Sequence, residues 1–221
     1  MRIHRAWKTP ILIVALCLYA SGQNTPTKDA QVNEARGIPP RATPADYQAQ
    51  APAGKATVAA EFLGHSVPTP QGIFTTEDYV VVEAALFGPP EARLKISFDD
   101  FSLRINEKKT PVPSQPFGAI FKSLKDPEWA PDVPAEEKSK SSFSTGGKAA
   151  GDPPPAPVHM PIALQHAMEQ KVQKVALPEG DRTLPQAGLI FFQYRGKAEG
   201  IHSLVLTYAG PAGTATLTLQ P

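Results

Sequence analysis

Apolar and polar residues alternate along the chain between residues 56 and 113, and again after residue 178. The strongest segment is 79–87 (YVVVEAALF), which is β-branched and almost continuously apolar. Such a run is typical of a central strand that is buried on one face and partly covered on the other. Shorter segments that are strand-like, by their two-residue period or their dense aromatic residues, lie at 57–62, 94–98, 101–105, 189–194, 204–208 and 215–219.

A proline-rich stretch, residues 114–177, interrupts this rhythm. Eleven of the 25 prolines lie between Pro111 and Pro161. A proline at the first helical position, followed by an apolar stripe, predicts one α-helix at about residues 161–176. The stripe consists of Leu164, Met168, Val172 and Val175.

The two strand-bearing parts, 56–113 and 178–221, together have the size of an immunoglobulin-like domain, about 100 residues. Neither part has enough strands to fold alone, so we expect them to form one discontinuous domain. The predicted fold class is all-β: an immunoglobulin-like antiparallel β-sandwich, interrupted by the long Pro-rich insertion 114–177 that carries the helix.

The first 22 residues have the order of a signal peptide. Three basic residues and no acidic ones precede the apolar run Ile11–Leu18, and the small residues Ala20, Ser21 and Gly22 follow it. The run is too short for a bilayer, which takes about 20 residues, but it has the length of a signal-peptide core. We predict that residues 1–22 direct export to the periplasm or the extracellular space. An uncleaved N-terminal membrane anchor is the lesser alternative.

Cys17 is the only cysteine, and it lies within this apolar run. A lipoprotein would be acylated on a cysteine at this location, but Leu16 stands where a small residue is expected. An ordinary signal-peptide cysteine is therefore favoured, and lipidation stays open. The next segment, residues 23–55, is polar and rich in Ala, Pro, Gln and Thr. We predict a disordered spacer there, because such a segment buries too little apolar surface to offset its ordering entropy.

The charge balance excludes some partners. The formal net charge is +1, and removal of residues 1–22 takes away three basic and no acidic residues, which leaves a slight acidic excess. No basic stripe with interleaved aromatic residues is present, so we expect no nucleic-acid partner. After residue 22, no apolar run is long enough to cross a bilayer, so we expect no membrane span after signal cleavage.

Motifs that would indicate chemistry are missing from the sequence. His159 and His166 are seven residues apart, which is not a metal-ligand spacing, and neither a Gly-x-Ser-x-Gly motif nor a phosphate-binding loop is found. We therefore expect no metal, no cofactor and no enzymatic activity. A Ser–His–acid triad is a spatial arrangement, so an extracytoplasmic hydrolase with a site built by the insertion is the alternative.

Three aromatic residues of the insertion, Phe117, Phe121 and Trp129, are the candidate partner surface. Large aromatic residues in irregular segments usually anchor them to a core, so that interpretation is favoured. In the second interpretation they form an exposed patch that binds a partner. A second expected contact surface is a sheet edge at Pro111–Pro113, because proline in a strand is confined to edges and bulges.

The strand residues also resemble a known family. YVVVE at 79–83, FSLRIN at 101–106, GLIFF at 188–192 and LVLTY at 204–208 are similar to a family of small bacterial extracytoplasmic immunoglobulin-like domains of unknown function, found in conserved hypothetical secreted proteins. The resemblance covers about half of the chain and does not include the insertion. It implies a secreted binding or structural module and brings no catalytic residues. We thus predict an exported, non-catalytic binding or assembly module, with a protein or another cell-envelope component as its partner.

Overall fold

The computed structural model describes residues 35–129 and 160–221. The predicted signal peptide with Cys17, the first part of the predicted spacer and the middle of the insertion lie outside the described residues. Within them the chain forms one α-helix, α1 (Ile162–Val175), and several short 3-10 helices. The strands are β1 (Ala49–Ala53), β2 (Ala56–Phe62), β3 (Ser66–Thr69), β4 (Gly72–Thr76), β5 (Tyr79–Phe87), β6 (Arg93–Ile96), β7 (Phe101–Ile105), β8 (Val112–Gln115), β9 (Leu124–Lys125), β10 (Gly180–Thr183), β11 (Gln186–Gln193), β12 (Leu204–Gly210) and β13 (Gly213–Leu219).

Eight strands form one antiparallel sheet in the order β1-β2-β5-β11-β8-β7-β12-β13. The two outer strands of this sheet approach each other. The Gln48 side chain, just before β1, donates a hydrogen bond to the carbonyl of Gln220, just after β13, over 2.9 Å. The sheet therefore curls around a single interior, as a sandwich or barrel does. The all-β prediction is confirmed, and the immunoglobulin-like assignment within that class stays a prediction.

The interior is filled by alternate residues of the sheet. In β12 and β13 every second side chain is buried, which matches the two-residue period of the sequence. The bulkiest interior side chains include Phe101, Phe192, Leu86 and Tyr208, each at most 1% exposed. This arrangement leaves the polar threonines of β13 on the outside.

Strands β5 and β11 are buried on both faces, because a second apolar cluster covers their outer side. Val81, Leu189 and Phe191 face outward there and pack against side chains of α1, β3, β4 and the 3-10 helix Phe117–Ser123. Their covering partners include Val67, Phe74, Ile120, Met168 and Val172. Double-sided burial is the physical reason why the sequence of β5 is nearly continuous in apolar residues.

The prediction of a disordered spacer is wrong for residues 35–55. Residues 49–53 form β1, which pairs with β2 over its full length, and the Ile38 N–H donates to the Ala187 carbonyl over 2.8 Å. Tyr47 is 6% exposed, with its ring 6.0 Å from that of Phe87. The segment is anchored by small alanines and one buried tyrosine, which composition alone does not distinguish from a polar linker.

The expected sheet edge at Pro111–Pro113 is also wrong. Strand β8 lies inside the sheet, where Pro113 stands opposite Ser102 of β7, and Ser114 and Gln115 stand opposite β11. Each of these pairings is only two residues long, so β8 needs few backbone N–H groups as hydrogen-bond donors to its neighbours. A strand that contains Pro113 and directly follows Pro111 is tolerated at such a position.

Candidate functional site

A cleft of about 610 Å³ lies between helix α1 and residues 121–129, which comprise the end of the 3-10 helix Phe117–Ser123 and the segment after it. One wall comes from residues 121–129, and the other comes from the helix and Met160, two residues before it. The lining side chains are Phe121, Lys122, Leu124, Lys125, Asp126, Trp129, Met160, Gln165, Met168 and Glu169. The cleft thus combines an apolar interior with a charged rim, the composition that ligand and partner sites commonly have.

The structure separates the three predicted aromatic residues. Phe117 and Phe121 have ring centroids 5.9 Å apart, and both pack against the outer apolar cluster that covers β5 and β11. Trp129 is half-buried, lines the cleft and lies outside the apolar clusters of the described chain. Phe117 therefore anchors the insertion, Trp129 belongs to the cleft, and Phe121 contributes to both.

On the helical wall, Met168 belongs to the apolar stripe that the sequence predicts, whereas no sequence pattern marks Gln165 and Glu169 as site residues. Met168 is only 2% exposed and forms the base of the wall, while Gln165 and Glu169 stand above it. Ile162 is three residues before Gln165 and so lies on the same side of the helix, and it is 70% exposed. The apolar stripe predicted the buried face of α1, but which residues next to that stripe meet residues 121–129 depends on tertiary packing.

The two walls differ in net charge, because the first carries two lysines and Asp126 whereas the helical wall carries Glu169. Lys122 and Lys125 stand on the first wall, and the Lys125 ammonium lies 2.5 Å from a carboxylate oxygen of Glu77. On the helix, the carboxylate of Glu169 lies 3.2 Å from Nδ1 of His166. Asp126 accepts a hydrogen bond from the backbone N–H of Glu128 over 2.9 Å, so its carboxylate shapes the turn that presents Trp129.

A second polar cluster lies on the sheet rather than in the cleft. Glu61 and Glu83 are directly opposite each other on β2 and β5, and the Arg41 guanidinium contacts both carboxylates, at 3.1 Å for Glu83. The same guanidinium stacks over the Tyr47 ring, 4.5 Å from its centroid. Burial lowers the pKa of Arg41, but its hydrogen bonds and charge interactions with the two glutamates outweigh this and raise it. The cluster ties residues 35–48 to the sheet, and no pattern in the sequence predicts it.

Within residues 35–129 and 160–221, no group of three or more His, Cys, Asp or Glu side chains is placed to hold a metal ion. The expectation of no metal and no cofactor stays an expectation. Over the same two ranges, no helix combines the length and apolar character that crossing a bilayer requires.

Comparison with known proteins adds little. No protein-family model and no curated protein matches the chain. One solved structure that resembles it is YcdA of Bacillus subtilis, described as a putative lipoprotein, with a TM-score of 0.35 and 12% sequence identity. The match covers 77% of this chain and 38% of the YcdA chain, so this chain spans well under half of that protein. A likeness this distant assigns no family.

Proposed function

We propose that this protein is an exported, non-catalytic binding module, and that the cleft between α1 and residues 121–129 holds a segment of a partner protein. The observation that carries the proposal is the placement of Trp129. A large aromatic side chain that lines a cleft without supporting a core contributes little to folding for its size, whereas tryptophan is among the side chains most often found at binding hot spots.

The remainder of the cleft supports a peptide segment as its occupant. Met160 offers a flexible, polarisable thioether that adapts to different apolar side chains, and the buried Met168 gives the cleft an apolar base. Ile162 extends the apolar surface beyond the mouth of the cleft. The residues 122–125 carry two lysines, and the helical wall carries Glu169. A partner segment with an apolar side chain between an acidic and a basic flank is complementary to this arrangement.

The hydrolase alternative has weaker support. Three titratable side chains of the cleft have partners in the described structure. Lys125 forms an ion pair with Glu77, and Glu169 lies at ion-pair distance from His166. Asp126 accepts a hydrogen bond from a backbone N–H. These contacts account for the carboxylates without a catalytic role. Signal-directed export would place the module in the cell envelope or outside the cell, where an envelope protein is the accessible partner.

The experiment is affinity capture from the envelope fraction with three immobilised proteins: the wild type, Trp129→Ala and Ile73→Ala. Ile73 is the control because it is also apolar and is 58% exposed, but does not line the cleft. We expect a protein that binds wild type and Ile73→Ala, and whose binding falls on the order of tenfold or more with Trp129→Ala, as hot-spot truncation does.

Two results would contradict the proposal. In the first, the captured proteins bind Trp129→Ala as tightly as the wild type, which places the contact surface elsewhere. In the second, the purified protein turns over an ester, peptide or glycoside and loses that activity in Asp126→Asn or Glu169→Gln, which makes the cleft an active site.

A further inference from the structure

His65 lies in the turn between β2 and β3 and contacts two carbonyl groups at once. Its Nδ1 is 2.7 Å from the carbonyl oxygen of Tyr79, at the start of β5. Its Nε2 is 3.0 Å from the carbonyl oxygen of Gly196, in the loop after β11. The ring is half-buried and stacks on that of Tyr194, with centroids 6.2 Å apart. The imidazole therefore connects three segments that are far apart in sequence.

The protonation state of the ring decides how many of these contacts are hydrogen bonds. A carbonyl oxygen can only accept, and a neutral imidazole has one N–H donor and one lone-pair acceptor. In either neutral tautomer, one ring lone pair faces a carbonyl lone pair at hydrogen-bond distance. Only the imidazolium form, which has two N–H donors, satisfies both carbonyl groups. The shorter contact is the one to Tyr79, so we expect the neutral ring to keep that bond and lose the one to Gly196.

We propose that His65 is a proton-operated latch, which ties the loop 194–200 to the turn before β3 when protonated and releases the loop when neutral. The turn itself is held independently of the ring. The Val81 N–H donates to the Gly64 carbonyl over 2.8 Å, and the Thr76 N–H donates to the His65 carbonyl over 3.0 Å. The loop is therefore the segment that moves when the ring loses its proton.

Other charged groups belong to the segments around the ring. Asp78, next to Tyr79, forms an ion pair with Arg195, with 3.3 Å between Nε and a carboxylate oxygen, and Lys197 and Glu199 follow in the loop. The Tyr194 N–H also donates to the Asp78 carbonyl over 2.8 Å. These contacts fix the start of the loop. Asn106 fixes its end, because its Nδ2 donates to the Gly200 carbonyl over 2.7 Å. Release therefore affects mainly Gly196 and the residues between it and Gly200. Gly196 lines a shallow surface depression together with Tyr194 and Arg195, so release of the loop changes the part of it that Gly196 forms.

The test is hydrogen–deuterium exchange of residues 196–200, corrected for the intrinsic effect of pH on exchange. It compares samples at about pH 5 and about pH 8, the interval over which histidines usually change charge. The first protein is a full-length variant in which His65 is the only histidine, with four changes: His4→Gln, His159→Gln, His166→Gln and His202→Gln. We expect its loop to exchange roughly tenfold faster at the higher pH, the effect of losing one charge-assisted hydrogen bond.

The matched control is the wild-type chain with the single change His65→Gln, which retains the other four histidines. We expect its loop protection to be the same at both pH values. The proposal is overturned if the single-histidine variant shows no pH-dependent change in loop exchange. It is also overturned if His65→Gln keeps the wild-type pH response, because another group would then control the loop. The single-histidine variant decides the question alone if His65→Gln fails to fold.

Discussion

At the scale of single residues, close backbone approach explains one glycine. Leu177, two residues after α1, crosses β11 with its side chain in the interior of the sheet, and its N–H donates to the Leu189 carbonyl over 3.0 Å. A Cβ atom added to Gly188 would lie 2.4 Å from the Leu177 Cα, so only glycine allows this crossing. The segment GLIFF (188–192), which the sequence predicts to be a strand, thus also includes the two residues, Gly188 and Leu189, that contact Leu177 and position the end of the helix.

We expect Gly188→Ala to lower the free energy of unfolding by about 1–3 kcal/mol, the usual cost of overpacking. The measurement is urea denaturation followed by circular dichroism. Gly118→Ala is the matched control, because a Cβ there meets no atom within 4 Å and the backbone is not left-handed. Equal stability of Gly188→Ala and the wild type would show that the crossing does not take place at this distance.

The Arg41 guanidinium contacts the carboxylates of Glu61 and Glu83, which would otherwise repel each other across β2 and β5. We expect Arg41→Met to destabilise the fold by about 1–3 kcal/mol, because the Glu83 carboxylate is left buried without its partner. Adding Glu83→Gln to Arg41→Met should recover much of this loss, since the amide carries no charge. Thermal melting of the single and double variants checks the prediction, and a double variant less stable than Arg41→Met would contradict it.

Asp100 makes the stability of the fold depend on pH, in a direction that follows from the shift of its pKa. Burial raises the pKa of its carboxyl group from the usual 3.8, and the charge of Asp99 adds to the effect. The folded state therefore favours the protonated form, so ionisation above the raised pKa costs stability that is absent at lower pH. We expect Asp100→Asn to be more stable than the wild type at neutral pH, with a difference that shrinks as the pH falls towards 3.8. Urea denaturation across this range checks it; a difference that grows on acidification would contradict it.

At the scale of elements, sequence reasoning succeeds where burial leaves a periodic signal. The strands with strict alternation and the apolar run of β5 are present, and α1 starts one residue after Pro161. Strand β1 leaves no such signal. Its sequence, AQAPA, contains no β-branched or aromatic residue, so its pairing with β2 depends on tertiary packing alone.

The same distinction applies to the candidate site. Aromatic residues in an irregular segment drew attention to Phe117, Phe121 and Trp129, but composition does not separate an anchor from a binding residue. The second wall comes from a helix more than thirty residues further along the chain. Its contribution follows from how α1 lies against the second cluster, which the period of the helix does not specify.

Deletion tests the role of β1 directly. A chain that begins at residue 56 lacks both β1 and Tyr47, so the inner residues Val58 and Ala60 lose their cover. We expect this chain to melt at a clearly lower temperature than one that begins at residue 35, or to be insoluble. Differential scanning calorimetry of the two chains is the measurement. Identical melting temperatures of the two chains would contradict this prediction and would support a spacer role for residues 35–55.

At the scale of the whole molecule, the fold presents a cleft on the side where the insertion covers the sheet. Strand β5 of the first part pairs with β11 of the second over eight residues, which gives the outer cluster a continuous base. On that base, α1 and the 3-10 helix Phe117–Ser123 pack side by side and open towards Trp129 and Met160. The rigid sheet thus positions a cleft whose own walls are short elements, a common arrangement for binding sites.

Trp129 provides the most direct measurement of the central claim, that this cleft binds a partner segment. Trp7 is the only other tryptophan, so in a Trp7→Phe chain the fluorescence reports on the cleft alone. On titration with the protein captured by the wild type, we expect the emission of Trp129 to shift to shorter wavelength and its quenching by acrylamide to fall, with saturation at one partner per chain. Binding that saturates without any change in Trp129 emission or quenching would contradict the account.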